Sequence, residues 1–490
     1  MAPRPTTDFS HGVHYTPGNV AKPKALSPEG LRYSGITYIR FQWVDLANNV
    51  RYRVIPVSYF EKLLLSPRPG VAMTKASLGI IYLNMAEGFS PIGEYLYIAD
   101  LDSLRACPYE PGHATIMGYF QEKAPLEGVR IDVDLCPRTM LKRVEEDAAS
   151  QSVQFLVGIE TEFILLKATS PVPVASNVHN WSHSEGLRTG SVESKILREI
   201  SDALLETKVE VQMYHAEAAP GQYEIVTGPL TPLAAADAAI LTRETIANIA
   251  AKHGLRATFA PRVYMDSCGS STHTHVSVHS TSQNGSSSSS TDADGHDLTT
   301  AEASFLSNLL EHLPSIALLT LPIPASYKRV QDGVWSGGTY VCWGTENREA
   351  PIRLTNAHSK TSRNFELRFI DGTSNPYLAL TAVLGMGLEG IKRKSKLETK
   401  DCSYEMSKGV WNTKTPAQMS EQERKQLGIT KRFPLTWEEA REKFGSDEMV
   451  RKVFGEEFVK KYLSVNKVLA ESLAQDKDEA KELTRLVEYY

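Results

Sequence analysis

The chain has 490 residues, 41% hydrophobic and 23% charged, with a formal net charge of -5. This is the composition of a globular protein long enough for about two to four domains. It lacks the basic field that draws a protein to nucleic acid or anionic lipid, and no apolar run reaches the roughly 18 residues of a membrane span. The five cysteines, Cys107, Cys136, Cys268, Cys342 and Cys402, are widely spaced with no CxxC pair. They argue for free thiols in a reducing compartment, by default the cytoplasm, and against a cysteine-built zinc site.

Residues 1–29 are polar and Pro-rich, without the apolar stretch of a secretory signal, and predict a disordered or loosely wrapped arm. Residues 36–57 read as a hairpin. Ile39, Phe41 and Trp43 alternate on one arm, Val50, Tyr52 and Val54 on the other, with Ala47-Asn48-Asn49 as the turn. With a further strand over 114–120, residues 30–130 form a small α+β domain. A helix opens at Cys136-Pro137-Arg138 and runs over 139–150.

The next strand, Phe155-Leu156-Val157-Gly158-Ile159-Glu160-Thr161-Glu162-Phe163-Ile164-Leu165-Leu166, is apolar except near its middle. Strand alternation points Glu160 and Glu162 the same way. Two carboxylates in a hydrophobic wall repel each other and lose hydration, which a cation between them relieves. Residues 231–253 form a helix that Thr231 caps, Pro232 opens and Gly254 stops. A strand follows over 258–263. His273-Thr274-His275-Val276-Ser277-Val278-His279 alternates, so its three histidines and Ser277 share a face. Residues 280–300, with five consecutive serines from Ser286, predict a flexible insertion. Residues 301–319 and 376–391 read as helices, 392–426 as a peripheral loop, and 436–490 as helical.

The polar residues of these elements form a constellation. Glu160 and Glu162 are followed by Glu217 and Glu224 around a Pro220-Gly221 turn, then His273, His275, Glu366 and Arg368. Five carboxylates and an imidazole suffice for two divalent ions, and oxygen-rich ligation suits Mg²⁺ or Mn²⁺ better than zinc. Arg329, Arg348, Arg353 and Arg368 accompany them, which fits a polyanion such as nucleotide phosphates. Taken singly, each feature has a plainer reading as a solvated strand face, a core histidine pair or surface ion pairs. The ordered combination carries the argument.

From about residue 30 to 395 this pattern resembles the glutamine synthetase family. The matching stretches are Gly158-Ile159-Glu160-Thr161-Glu162-Phe163, Glu217 to Glu224, Ala257-Thr258-Phe259-Ala260-Pro261, Gly269 to Ser277, and Ser326-Tyr327-Lys328-Arg329. Asn347-Arg348 with Ile352-Arg353, Glu366-Leu367-Arg368, and Asn375-Pro376-Tyr377-Leu378 complete the set. The resemblance implies an α+β fold. A β-grasp-like N-terminal domain (30–130) would precede a larger catalytic domain (131–490), whose curved antiparallel sheet forms a funnel. It implies ATP as co-substrate, two to three Mg²⁺ or Mn²⁺ ions per site, and a homo-oligomeric ring with active sites between subunits. One metal falls on Glu162, Glu217 and Glu224, the second on Glu160, His273 and Glu366. His275 and Ser277 match positions near the nucleotide, and Arg348 and Arg353 match phosphate-binding arginines. Arg329 and Arg368 match arginines that hold the acid substrate and the developing phosphate charge. Gly269 lies in the acid-binding run.

Departures from the family pattern set the expected reaction. Trp335 stands where ammonia-using members carry a flap glutamate, and residues 83–91 lack the Asp-Gly-Ser-Ser loop. Without those carboxylates an ammonium pocket is disfavoured, whereas an aromatic wall suits a larger amine through cation–π contact. The pattern around Trp335 resembles the γ-glutamylpolyamine synthetase and glutamine-synthetase-like branch. Cys268 replaces an asparagine that helps hold glutamate, and Ser271-Thr272 replace Gly-Met, so the identity of the acid stays open. The expectation is an ATP-dependent ligase joining the γ-carboxylate of glutamate, or a similar acid, to an organic amine through an acyl phosphate. Two rivals stand beside it: a glutamine synthetase using ammonia, and a non-catalytic structural or signalling protein of the same fold.

Overall fold

A computed structural model describes residues 10–20, 25–125, 128, 130–179, 184–281, 298–357, 359, 362–405, 410–476 and 478–490. Its N-terminal part is built mainly from two small sheets, beside a short hairpin of Ile80–Ile81 and Asn84–Met85. In the first, Tyr38–Val44 pairs antiparallel with Val50–Pro56 and parallel with His113–Ile116, which also pairs with Arg105–Ala106. Tyr38–Val44 is buried on both faces beyond Tyr38, as a central strand must be. The second sheet joins Gly70–Thr74, Glu94–Ala99 and Gly118–Glu122. The single strand expected over 114–120 is therefore two, and the chain passes between sheets at Met117. Trp43 of one sheet meets Tyr97 and Phe120 of the other, with ring centroids 6.0 and 6.4 Å apart.

The larger sheet runs in the order Val211–Ala216, Gln222–Leu230, Val153–Ala168, Thr274–Ser280, Asn364–Leu367, Ile352–Thr355 and Trp343–Thr345. Every neighbouring pair is antiparallel except the last, which is parallel. The short strands Val174–Ala175 and Arg256–Thr258 join the far half of Val153–Ala168. Odd positions of that long strand face helices, as where Phe155 meets Phe305 of helix Thr300–Thr320 at 5.6 Å. Even positions, with Glu160 and Glu162, face the other way. The molecule is thus α+β: a small domain of two packed sheets followed by a predominantly antiparallel sheet backed by helices.

Several local expectations are corrected. The strand expected over 258–263 ends at Thr258. Beyond it Pro261 has no N–H to give a ladder, and its carbonyl accepts from Ser270 N at 2.9 Å. The Thr231 side chain makes no cap hydrogen bond to helix Pro232–Lys252. Instead Glu145 of helix Pro137–Ser150 accepts from Leu233 N at 3.2 Å, satisfying one of the free amides of that helix start. Residues 392–426 are more than a peripheral loop. They hold a hairpin, Tyr404–Glu405 with Val410–Trp411, and helix Glu421–Gln426. Cys402 N donates to the Trp343 carbonyl at 3.1 Å, and Cys342, Ala350, Cys402, Met419 and Ile429 form a small apolar core. The Ser-rich stretch falls, over 282–297, outside the described residues, as do residues 1–9 of the expected arm.

Arg138 ties the two parts together. Its guanidinium donates to Asp237 at 3.0 and 2.8 Å and lies 2.7 Å from Asp100 of the small domain. Among the described residues no helix is long and apolar enough to cross a membrane.

Candidate active site

Strand register assembles the site. Glu162 lies opposite Glu224, and Glu224 opposite His215. On the other side Gly158 lies opposite His275, His275 opposite Glu366, and Glu366 opposite Arg353. Directly paired residues share a face of an antiparallel sheet, so six strands bring these groups to one surface. The turn between Glu217 and Gln222 depends on Gly221, which adopts φ +65° and where a Cβ would lie 2.9 Å from the Leu165 carbonyl.

His273 precedes its strand and continues the pairing: its carbonyl accepts from Glu160 N at 2.9 Å. Its Nδ1 lies 3.0 Å from Glu160, 3.7 Å from Glu366 and 3.8 Å from Glu162. Glu160, His273 and Glu366, expected to share one ion, each offer a ligand atom within 4.8 Å of the others. The other expected set is divided between two groups: Glu162 and Glu224 meet with His273, and Glu217 and Glu224 meet with His215. His275, expected near the nucleotide, bonds Glu160 through Nε2 at 3.0 Å and Asn364 through Nδ1 at 2.8 Å. Ser277 pairs with His279 at 2.8 Å.

The electrostatics are those of a site built for more positive charge than the chain supplies. Burial, reinforced by Glu224 and Glu217, pushes the Glu162 carboxyl up to about 8. Burial and the Glu160 charge push Glu224 up to about 7. Burial also raises Glu217, with His215 and Arg348 opposing. Burial works against ionised Glu160 too, but His275 and His273 outweigh it and hold Glu160 well below the usual range. For Glu366 burial is overcome by Arg368 and His273, and the carboxyl falls to about 2. Burial and Arg368 keep His273 neutral, at about 4. Such a set of carboxylates and one neutral imidazole fits hard divalent cations.

The arginines separate by setting. Arg368 bonds Glu366 through Nη1 and the Trp335 carbonyl through Nη2, the latter at 2.8 Å. Arg329 is fully buried and donates to the Arg368 carbonyl at 3.0 Å. Arg353 donates to Glu366 at 2.9 Å. The Nε groups of Arg329, Arg353 and Arg368 are buried without a partner, which fits an anion as a further occupant. Arg348 is exposed. Gly269 is required by close approach: a Cβ there would overlap the Arg329 side chain and lie 2.5 Å from the Pro261 carbonyl. Cys268 is half-buried, and burial with Glu162 and Glu217 raises its thiol, the opposite of what a nucleophile needs.

His215, Gln222 and Glu349 escaped the sequence reading, and Ser271 entered it only as a departure in the acid-binding run. His215 lies 3.1 Å from Glu224 and 3.5 Å from Glu217. Its His-x-Glu spacing to Glu217 was a usable signal. The Glu224 hydrogen bond is the main cause raising it to about 9. Gln222 donates to Glu162 at 3.0 Å, and Ser271 addresses the same carboxylate through its amide at 3.0 Å and through its hydroxyl. Glu349 accepts from Gly333 N at 3.0 Å and Trp335 N at 2.7 Å.

Comparison with known proteins decides the family. The profile of the glutamine synthetase catalytic domain matches residues 134–483. The chain belongs to the glutamine synthetase family. Protein fluG of Emericella nidulans is 33% identical over 99% of this chain, which spans only 52% of that protein's length. Gamma-glutamylpolyamine synthetase GlnA3 of Streptomyces coelicolor is 30% identical over 90% of both chains. A glutamine synthetase of Methanocaldococcus jannaschii is 30% identical over 90% of this chain and 92% of its own. Among solved structures, a GmaS–ADP complex superposes with a TM-score of 0.75 at 21% identity, covering 92% of this chain and 97% of that one. That likeness carries the glutamine synthetase fold. Membership supports an ATP-dependent ligase and the family's use of Mg²⁺ or Mn²⁺.

Proposed function

We propose that this glutamine synthetase family protein is a ligase that joins the side-chain carboxylate of glutamate, or a similar acid, to an organic amine through an acyl phosphate. One observation carries the choice of amine. Trp335 is 58% exposed at the flap position where ammonia-using members carry a carboxylate. Its carbonyl is held by Arg368, which also holds Glu366. An exposed indole there offers a methylene chain an apolar wall and an ammonium a π face. The similarity to a γ-glutamylpolyamine synthetase supports the same reading.

In this reading Glu160, His273 and Glu366 hold one divalent ion, and Glu162, Glu217 and Glu224 a second, with His215 beside them. When bound, Mg²⁺ or Mn²⁺ supplies neutralisation of the phosphoryl charge. Arg348 and Arg353 bind phosphates, with His275 and Ser277 at the nucleotide end. Arg329 and Arg368 orient the acid and stabilise charge on the transferring group. Gly269 lets Arg329 reach it, and Cys268 lines the acid pocket as a small side chain. The acid carboxylate attacks the γ-phosphorus of ATP and ADP departs. The amine then attacks the acyl carbon and phosphate leaves. The small domain over 30–130 would border a neighbouring subunit's site in a ring, for which the exposed Leu83 and Ile92 offer apolar contact.

The test is phosphate release from ATP and Mg²⁺ with glutamate, across ammonium, monoamines and polyamines, with mass detection of product. Turnover with an organic amine in preference to ammonium is expected. Turnover with ammonium alone would establish the glutamine synthetase rival, and none with any acid–amine pair would favour the non-catalytic one.

A further inference from the structure

Trp335 adopts φ +56°, a left-handed conformation that a bulky residue avoids. The residue is 58% exposed, so burial in the core does not repay that strain. Such a conformation persists only where the surroundings over-determine it, and here they do. Glu349 spans the backbone, with Oε1 accepting from Trp335 N at 2.7 Å and Oε2 from Gly333 N at 3.0 Å. Arg368 holds the carbonyl of the same residue at 2.8 Å. Ser336 Oγ closes the turn by accepting from Gln331 N and donating to Gln331 O, both at 3.0 Å. Glu349 is itself buried, and its amide is fixed by Asn347 Oδ1 at 2.9 Å, one residue from Arg348. One carboxylate thus joins the flap to the segment carrying a phosphate-site arginine.

We propose that Glu349 is a positioning residue for the acceptor amine: it clamps the backbone of Gly333 and Trp335 so that the indole stands as one wall of the acceptor site. The inference rests on the ligase reading above and deepens it. Both carboxylate oxygens accept from backbone amides, so the geometry engages Glu349 as a two-point hydrogen-bond acceptor. Release of the clamp frees Trp335 N–H and Gly333 N–H, and the flap loses the geometry that aims the indole. It also takes from Arg368 the carbonyl that its Nη2 holds.

Two measurements on Glu349→Ala and the near-isosteric Glu349→Gln test this. Hydrogen exchange of peptides spanning 331–337 reads the clamp whether or not an amine substrate is known. It should quicken about tenfold or more in Glu349→Ala and less in Glu349→Gln, which keeps one accepting oxygen. Steady-state kinetics should show KM for the organic amine rising about tenfold, with KM for ATP within about twofold of wild type. Unchanged exchange in both variants overturns the clamp. Faster exchange with an unchanged amine KM overturns the positioning role, because the flap then moves without consequence for the acceptor. A wild-type protein inert with every amine defeats the ligase reading and the acceptor role together, and the exchange data separate that failure from loss of the clamp.

Discussion

Raising the pH from about 6.5 to about 8.5 is expected to tighten divalent-ion binding while weakening the metal-free fold. Glu162, pushed to about 8 by burial and the charges of Glu224 and Glu217, keeps most of its proton at neutrality. Glu224, at about 7, keeps about half. An ion ligated by both carboxylates therefore displaces between about one and two protons near pH 7. Each displaced proton makes affinity rise about tenfold per pH unit, or about 1.4 kcal/mol. The stability sign follows from the same groups. A carboxyl raised above its ordinary 4.5 lends the fold stability that is complete below that value and lost as pH climbs toward about 8. His215 is raised from 6.5 to about 9 chiefly by its hydrogen bond to Glu224, and His275 to about 9 by Glu160, which overcomes burial. Their contribution is complete below 6.5 and lost on the way to about 9. Glu366, lowered to about 2, adds no slope here, and His273, lowered from 6.5 to about 4, adds only a small opposing gain that ends once the unfolded imidazole has lost its proton above 6.5. The metal-free melting midpoint should thus fall between about pH 7 and 9, and the gain on adding metal should grow. The assay is calorimetric titration with Mg²⁺ or Mn²⁺ in buffers of differing ionisation enthalpy, which counts protons released. Glu162→Gln, with no proton to lose there, should release about one fewer, bind metal more weakly, and lose ATP turnover. Affinity independent of pH across this range, or falling with it, would refute the reasoning.

Trp335→Glu should weaken use of bulky amines and leave glutamate-dependent ATP binding intact, read as the ratio of kcat/KM for organic amine to that for ammonium; an unchanged ratio argues against an amine-selecting flap. Gly269→Ala places a methyl against the Arg329 side chain. The displaced guanidinium should raise KM for the acid substrate about tenfold or more with little change in KM for ATP, and unaltered acid kinetics would show that Arg329 does not serve that substrate. Arg138→Leu leaves Asp237 buried without its bidentate partner, at a cost of about 3–5 kcal/mol in urea unfolding. The Arg138→Leu/Asp237→Leu pair should recover part of that loss, and a cost under about 1 kcal/mol for the single change would contradict the junction role.

The parts of the site legible in the sequence are those governed by period-two alternation within one strand. Glu160 with Glu162, and His273 with His275, announce themselves because a strand puts alternate residues on one face. Which residues meet across strands is a matter of register, and register depends on partners far along the chain. His215 reaches Glu224 only because Val211–Ala216 is the outer neighbour of Gln222–Leu230. Glu349 reaches the flap from 14 residues away through a turn with no periodicity to read. The same limit hid the break at Met117, where adjacent short strands enter different sheets, and the docking of residues 392–426 on the Trp343 edge, where Cys402 N meets the Trp343 carbonyl, Trp343 Nε1 the Thr399 carbonyl and Thr345 N the Asp401 carboxylate, over a small core.

Ser271 shows how register changes the meaning of a departure that the sequence does reveal. In the family run it replaces a glycine, and beside Cys268 it reads as a change in the acid pocket. In the fold, Glu162 N donates to the Ser271 carbonyl at 3.2 Å, while the Ser271 amide and hydroxyl both donate to the Glu162 carboxylate. With Gln222, that makes three donors on a carboxylate that burial and two neighbouring glutamates drive toward protonation. Donors to an ionised oxygen favour the charged form, so Ser271 opposes the upward shift and keeps Glu162 nearer to a metal-binding state. The Ser271 hydroxyl therefore bears on Glu162 as well as on the acid-binding run, where Cys268 and Thr272 are the other departures.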